Sequence, residues 1–135
     1  SHGTMVLSCI ATNQPHFLVG TAPEASFYLL QSEDSKTEQQ VEEDNYAAAL
    51  EYADSLGVDV VTASLGYYNF DYPEMNHTYA DLNGRTAVNS IAASLAASRG
   101  LLVLNSAGNE GNGRWKKINF PSDASDILTV GAVAK

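Results

Sequence analysis

Two stretches of the chain decide its fold: residues 58–66 read VDVVTASLG, and residues 101–111 read LLVLNSAGNEG. Each begins with a short apolar run of the kind that forms a buried strand of a parallel sheet. Each then passes into a long polar loop at the point where the strand should end. Since sites in such sheets form in the loops at the carboxyl ends of strands, these two loops are the candidate site.

Helical periodicity and further strand-like runs lie around these two strands. Apolar residues recur at helical spacing from Val41 to Leu56, and Gly57 follows as a natural C-cap. The other predicted elements are a helix over 4–11 opened by Ser1, a helix over 83–99 ended by Gly100, and β-prone runs over 26–30 and 127–133. This alternation predicts an α/β fold of three layers, with a mainly parallel sheet flanked by helices.

Composition indicates one globular domain and excludes several function classes. The 135 residues are 44% apolar and 17% charged, as in ordinary folded domains. Seven lysines and arginines against 16 acidic residues leave a net charge of −9, which argues against a nucleic-acid partner. No apolar run approaches the roughly 18 residues of a membrane span, so membrane insertion is not expected. A single cysteine, Cys9, excludes an internal disulfide and cysteine-rich zinc sites.

Individual motifs in the loops do not secure a function. The glycines of residues 108–113, GNEGNG, are in the wrong order for a dinucleotide fingerprint, and a flexible turn explains them. Ser64 half-matches a nucleophile elbow, but an aromatic loop follows it instead of a helix. The three histidines lack metal-ligand spacing and are expected to be exposed. The acidic run 42–44 is expected to be solvent-exposed at the start of a helix, where carboxylates interact favourably with the helix dipole. Neither a metal nor a cofactor is predicted.

The order of the motifs is more specific than any one of them. In chain order the segments are HGT at 2–4, GTAP at 20–23, ASLG at 63–66, SAGNEG at 106–111, FPS at 120–122 and TVGAV at 129–133. This series covers nearly the whole chain and resembles the subtilisin-like serine peptidases. The resemblance implies that residues 1–135 form a single partial domain, the middle portion of a peptidase domain.

The resemblance also implies roles for particular residues. His2 looks like the catalytic histidine, which accepts the nucleophile's proton and passes it to the leaving amine. Asn109 looks like the asparagine of the oxyanion hole, whose amide donates to the tetrahedral oxyanion.

Two segments match the family's substrate cleft, so a polypeptide substrate is the implied partner. Ser64, Leu65 and Gly66 match the edge segment that pairs with an extended substrate backbone. Ala107 and Gly108 match the other wall of the primary specificity pocket, where small residues leave room for a side chain. The aromatic loop that directly follows Gly66 is expected to lie beside this cleft.

The chain departs from the family pattern at two catalytic positions. Members place a catalytic aspartate upstream of the histidine, whereas only Ser1 precedes His2, and no Gly-Thr-Ser nucleophile segment occurs. We therefore expect an acyl-enzyme serine endopeptidase in a longer parent protein, and no activity from this chain alone. The alternative is a non-catalytic module of the same fold that binds extended peptides. A nucleotide-binding α/β domain is a more distant alternative.

Two further expectations concern surface and location. A parallel sheet is normally covered on both faces, so a partial domain should expose apolar surface and could self-associate through it. Family members are usually exported, so the resemblance implies an extracytoplasmic or secreted parent. No signal peptide is visible in the opening residues SHGTMVLSCI.

Overall fold

Three parallel strands form the central sheet of the protein, whose computed structural model describes residues 1–133. The helices and strands in chain order are α1 (His2–Ala11), β1 (Asn13–Gln14), β2 (Leu18–Val19), α2 (Val41–Leu56), β3 (Val60–Ala63), α3 (Val88–Ser98), β4 (Leu102–Ser106) and β5 (Leu128–Val130). Short 3₁₀ turns occupy Pro73–Met75, Tyr79–Asp81 and Glu110–Asn112. The predicted α/β class with a parallel sheet is confirmed.

The strands lie in the order β3, β4, β5, and this order places the two candidate loops side by side. Val60 is opposite Leu102, and Ala63 is opposite Asn105, at the last pair between β3 and β4. Because parallel strands end at the same edge of a sheet, the chain leaves β3 and β4 toward one common region.

Helices α2 and α3 pack against each other and against one face of the sheet. The predicted stripe of α2 is confirmed, because Tyr46, Leu50 and Ala53 are buried. Gly57 ends the helix in the left-handed conformation at φ 70°, and its N–H bonds back to the last turn. The core beneath this face also contains Leu101 and Val103 of the β4 region.

The helix predicted over residues 83–99 is present as α3, but the large apolar side chains of its helical stripe are not the ones that it buries. Ala93 and Ala96 are buried in the core, whereas Val88, Ile91 and Leu95 are about half exposed. Alanine has almost no side chain, so it lets α2 approach α3 closely. The large residues therefore lie on the outer face of the helix.

The sheet face away from α2 and α3 carries apolar residues that stay half exposed. They are Val60, Leu102, Leu128 and Val130. The predicted apolar surface is therefore present among the described residues, and self-association through it stays a prediction. None of the helices described over residues 1–133 is long and apolar enough to cross a membrane.

The segment 26–30, SFYLL, was predicted as a strand, and this prediction is wrong for the described structure. The segment has no regular structure, and Leu29 is 70% exposed. A strand needs a partner for its backbone amides and carbonyls, and none of the strands described within residues 1–133 pairs with this segment.

Helix α1 packs on the small hairpin formed by β1 and β2. Ser1 caps it by accepting a hydrogen bond from the Thr4 amide at 3.4 Å. The chain after the hairpin is tied back to the helix end, where Gly20 donates its amide to the Thr12 carbonyl at 2.7 Å. His2 is thereby placed in the first turn of α1.

Candidate functional site

Backbone hydrogen bonds join the loop after β3 to the segment that follows the loop after β4. Tyr67 and Phe120 exchange two of them, both at 3.0 Å, as an isolated antiparallel bridge. Asn119 donates its amide to the Ala107 carbonyl at 3.2 Å, and Ala107 donates to Val130 at 2.8 Å. The residues predicted as two walls of a cleft are therefore held in one hydrogen-bonded frame.

The buried Asn105 side chain lies at the centre of this frame. Its Nδ2 donates to the Leu65 carbonyl at 2.9 Å and contacts the Ser122 hydroxyl at 3.0 Å. Ser122 in turn donates to the Ser106 carbonyl at 2.6 Å. Because buried polar groups are costly without partners, this network favours one arrangement of Leu65 relative to β4.

Asn119 lies between the two predicted substrate segments, and the sequence motifs did not single it out. A Cβ atom added to Gly66 would lie 2.8 Å from the Asn119 Cβ, and one added to Gly108 would lie 2.6 Å from its Nδ2. Gly108 also has φ +90°, which disfavours any other residue. Both glycines are therefore required by the Asn119 side chain, whose buried Oδ1 has no hydrogen-bond partner among residues 1–133.

Asn109 directly follows Gly108, and its side chain is exposed. It precedes the 3₁₀ turn Glu110–Asn112 but does not cap it through its side chain. Its amide makes no hydrogen bond to any residue in the described part of the chain, so the N–H groups are free to donate to a ligand.

His2 is also exposed, in the first turn of α1. The structure brings Ser64–Gly66 and Ala107–Gly108 together through Asn105 and Asn119. No hydrogen bond described within residues 1–133 joins His2 to Asn109.

The aromatic loop after Gly66 is partly a packing element. Tyr67 and Phe70 are buried, and their rings stack at 6.4 Å between centroids. Tyr68 and Tyr79 instead contact Trp115, each with ring centroids 4.8 Å apart. The loop after β3 therefore rests on the loop after β4, beside the candidate cleft.

His77 and Glu43 form a buried pair that corrects two expectations. The imidazole Nε2 lies 2.7 Å from the Glu43 carboxylate, with side chains only 8% and 1% exposed. His77 is therefore not an exposed histidine, and the acidic run 42–44 is solvated only at Asp44, since Glu42 is buried too. The ring centroids of His77 and Phe120 are 4.3 Å apart. The buried pair therefore packs against Phe120, whose backbone is hydrogen-bonded to Tyr67 in the frame.

Folding raises the pKa of His77 above its usual 6.5. Burial by itself disfavours the charged imidazolium, but the hydrogen bond and charge of Glu43 outweigh it, and Asp81 and Asp123 add to the effect. The stabilisation from protonated His77 is thus complete below about pH 6.5 and is lost as pH rises through the raised pKa.

We expect His77→Gln to lower the free energy of unfolding by about 3 kcal/mol, because Glu43 stays buried without a positively charged partner. Urea unfolding of both proteins should show a difference that is larger at about pH 6 than at about pH 8.5. The exposed His16, which has φ 69°, provides the matched control as His16→Asn. A difference that does not change with pH would contradict an ionised pair.

Three carboxylates elsewhere come close enough to suggest a cation site. Glu33, Glu38 and Glu42 have oxygens within 4.8 Å of one another. However, Glu42 already accepts the amides of Asp34 and Gln39, at 2.9 and 3.0 Å. Burial raises the pKa of Glu38 to about 7, and the neighbouring carboxylates add to the rise. The raised pKa of Glu38 and the backbone amides that Glu42 accepts therefore reduce the charge repulsion, and we assign no metal to this cluster.

Comparison with known proteins identifies the family. A sequence model of the Subtilase family matches residues 1–135, the full length of the chain. The chain belongs to the Subtilase family. The predicted resemblance is confirmed, and with it the serine-protease family to which the motif order pointed.

Relatives of this Subtilase chain match it from end to end but are much longer. Subtilisin E of Bacillus subtilis (strain 168) is 32% identical over 98% of this chain, which covers 31% of subtilisin E. The major intracellular serine protease of the same organism is 29% identical, and the chain covers 38% of it. An intracellular serine protease of Paenibacillus polymyxa is 30% identical, with 36% covered. The chain thus spans about a third of the length of these relatives.

Proposed function

We propose that this Subtilase chain is the central part of the peptidase domain of a serine endopeptidase. In this proposal His2 is the base that takes the proton from the nucleophile and returns it to the leaving amine. Asn109 donates its side-chain amide to the oxyanion of the tetrahedral state. The observation that carries the proposal is the exposed Asn109 side-chain amide, which directly follows Gly108 and has no hydrogen-bond partner among residues 1–133.

The substrate would be a polypeptide bound in extended form. Within residues 1–133, the Leu65 and Gly66 amides donate to no backbone carbonyl, so they are available to pair with another strand. Pairing of this kind adds the substrate as a strand at an exposed edge. In this proposal the Asn119 side chain, which lies against both Gly66 and Gly108, closes the bottom of the space between the two walls and leaves room for a small substrate side chain only.

The nucleophile and the orienting carboxylate are proposed to come from outside these 135 residues, which contain no Gly-Thr-Ser segment. An acyl-enzyme cannot form without a serine aligned to His2. An extracytoplasmic location also stays a prediction, since two of the relatives carry the word intracellular in their names.

A fluorophosphonate probe that labels activated serines tests this proposal. We expect the longer protein encoded by the gene to be labelled at one serine and to hydrolyse casein, whereas the 135-residue chain alone does neither. Labelling of Ser64 in the chain alone would contradict the proposal and favour the nucleophile elbow.

The same experiment separates the enzyme from a non-catalytic peptide-binding module. A longer protein that binds extended peptides, but neither cleaves them nor reacts with the probe, would establish the binding module. Circular dichroism of both proteins is the control, because an unfolded chain would also be unreactive.

A further inference from the structure

An open groove of about 410 Å³ adjoins the predicted wall of the substrate cleft. Ala107 and Gly108 form one side of it, and the turn that follows the 3₁₀ segment Glu110–Asn112 forms the other. That second side contributes Lys116, Lys117 and Ile118. The groove therefore joins the backbone wall of the proposed cleft to two cationic side chains.

The charge of this groove is opposite to that of the molecule as a whole. The chain carries a net charge of −9, yet three of its seven basic residues lie within residues 114–117. Both charged residues that line the groove are lysines. The nearby Glu110 has a carboxylate oxygen against Gly113 and does not line the groove. A local positive field in an acidic protein selects ligands of negative charge.

Neither lysine is neutralised by the protein itself. Throughout residues 1–133, no carboxylate lies within 4.0 Å of the ammonium of Lys116 or Lys117. Lys117 lies over the Tyr79 ring, 5.7 Å from its centroid, a contact that leaves its charge intact. Both charges are therefore available to a bound molecule.

The turn that carries the lysines is well held. Lys116 has a left-handed backbone, at φ 56°, and its amide donates to the Glu110 carbonyl at 3.1 Å. The buried Trp115 donates its Nε1 to the Ile118 carbonyl at 2.8 Å. Because the backbone on both sides of Lys116 is fixed, the two side chains start from defined positions beside Gly108.

We propose that this groove receives an aspartate or glutamate side chain of the polypeptide substrate, on the Ala107–Gly108 side of the proposed cleft. This inference rests on the proposed function and adds a substrate class to it. The two ammonium groups pair with the substrate carboxylate, while Ala107, Gly108 and Gly111 offer it no steric barrier. Both lysines are exposed, so salt should weaken the pairing.

Matched peptides that differ only by glutamate or glutamine test the proposal on the longer protein. One peptide pair is made for each position around the cleaved bond. At one of these positions and at low salt, we expect kcat/KM to be about tenfold higher for the glutamate peptide than for the glutamine peptide. The ratio of the two kcat/KM values should fall toward one in about 0.5 M salt. The double variant Lys116→Gln, Lys117→Gln should lose it, and Lys116→Glu with Lys117→Glu should favour lysine there instead.

Lys36→Gln is the matched control for Lys116→Gln and Lys117→Gln made singly, because each removes one positive charge and Lys36 lies in a loop remote in sequence from the groove. Absence of any glutamate preference, or a preference that survives in the double variant, overturns the inference while leaving peptidase activity intact. If no peptide is cleaved and no serine is labelled, the proposed function fails instead. Fluorescence anisotropy with the same peptide pair then decides the inference, and equal affinity for both peptides overturns it.

Discussion

Replacing His2 by alanine in the longer protein is expected to lower kcat by a factor on the order of 10⁶, with the fold unchanged. That magnitude is the one that loss of the catalytic histidine causes in a subtilisin. The loss is large because no other group can take the proton from the nucleophile at the moment of attack. Because His2 is exposed in the first turn of α1, its removal leaves no cavity.

His16→Asn is the control for His2→Ala. His16 is also exposed, but it lies in the turn of the β1–β2 hairpin with φ 69°, a conformation that asparagine tolerates. Steady-state hydrolysis of a chromogenic peptide should distinguish the two variants. Near-normal turnover in His2→Ala would remove this histidine from the mechanism.

Replacing Asn109 by alanine is expected to lower kcat by about 10²–10³ while KM changes little. The amide meets a negative charge that exists only in the tetrahedral state, so it discriminates the transition state from the bound substrate. This magnitude also comes from a subtilisin asparagine. Asn109→Ala should leave the local fold intact, because the Asn109 side chain makes no capping hydrogen bond to the 3₁₀ turn that follows it.

Asn112→Ala is the matched control for this second prediction, since Asn112 is an exposed asparagine at the end of the same 3₁₀ turn. It should leave both kinetic constants near their original values. A rise in KM without a fall in kcat for Asn109→Ala would instead indicate that the side chain binds the ground state.

The regular elements near the site could be predicted because their signals are local. The run VDVV marks β3, LLVL marks β4, and the helical spacing from Val41 to Leu56 marks α2 with its glycine cap. Parallel pairing then requires the loops after β3 and β4 to meet at one edge. The order of short motifs along these loops was sufficient for the family, since each is encoded within a few consecutive residues.

Other features depend on residues far apart in the chain and could not be predicted. Glu43 and His77 are 34 positions apart, and each looks like an ordinary surface residue in its local context. The helix over residues 83–99 was predicted, but its sequence did not show that the close approach of α2 buries Ala93 and Ala96 rather than the larger side chains of the helix.

Local chemistry along the chain therefore determined the three helices, the parallel strands β3, β4 and β5, and the Subtilase membership. Tertiary structure alone decided which charges are buried, that segment 26–30 stays unpaired, and that Asn119 lies between Gly66 and Gly108. The physical reason is the range of the interactions. Propensity, capping and periodicity act over a few residues, whereas burial, ion pairing and strand partnership depend on what other segments place alongside.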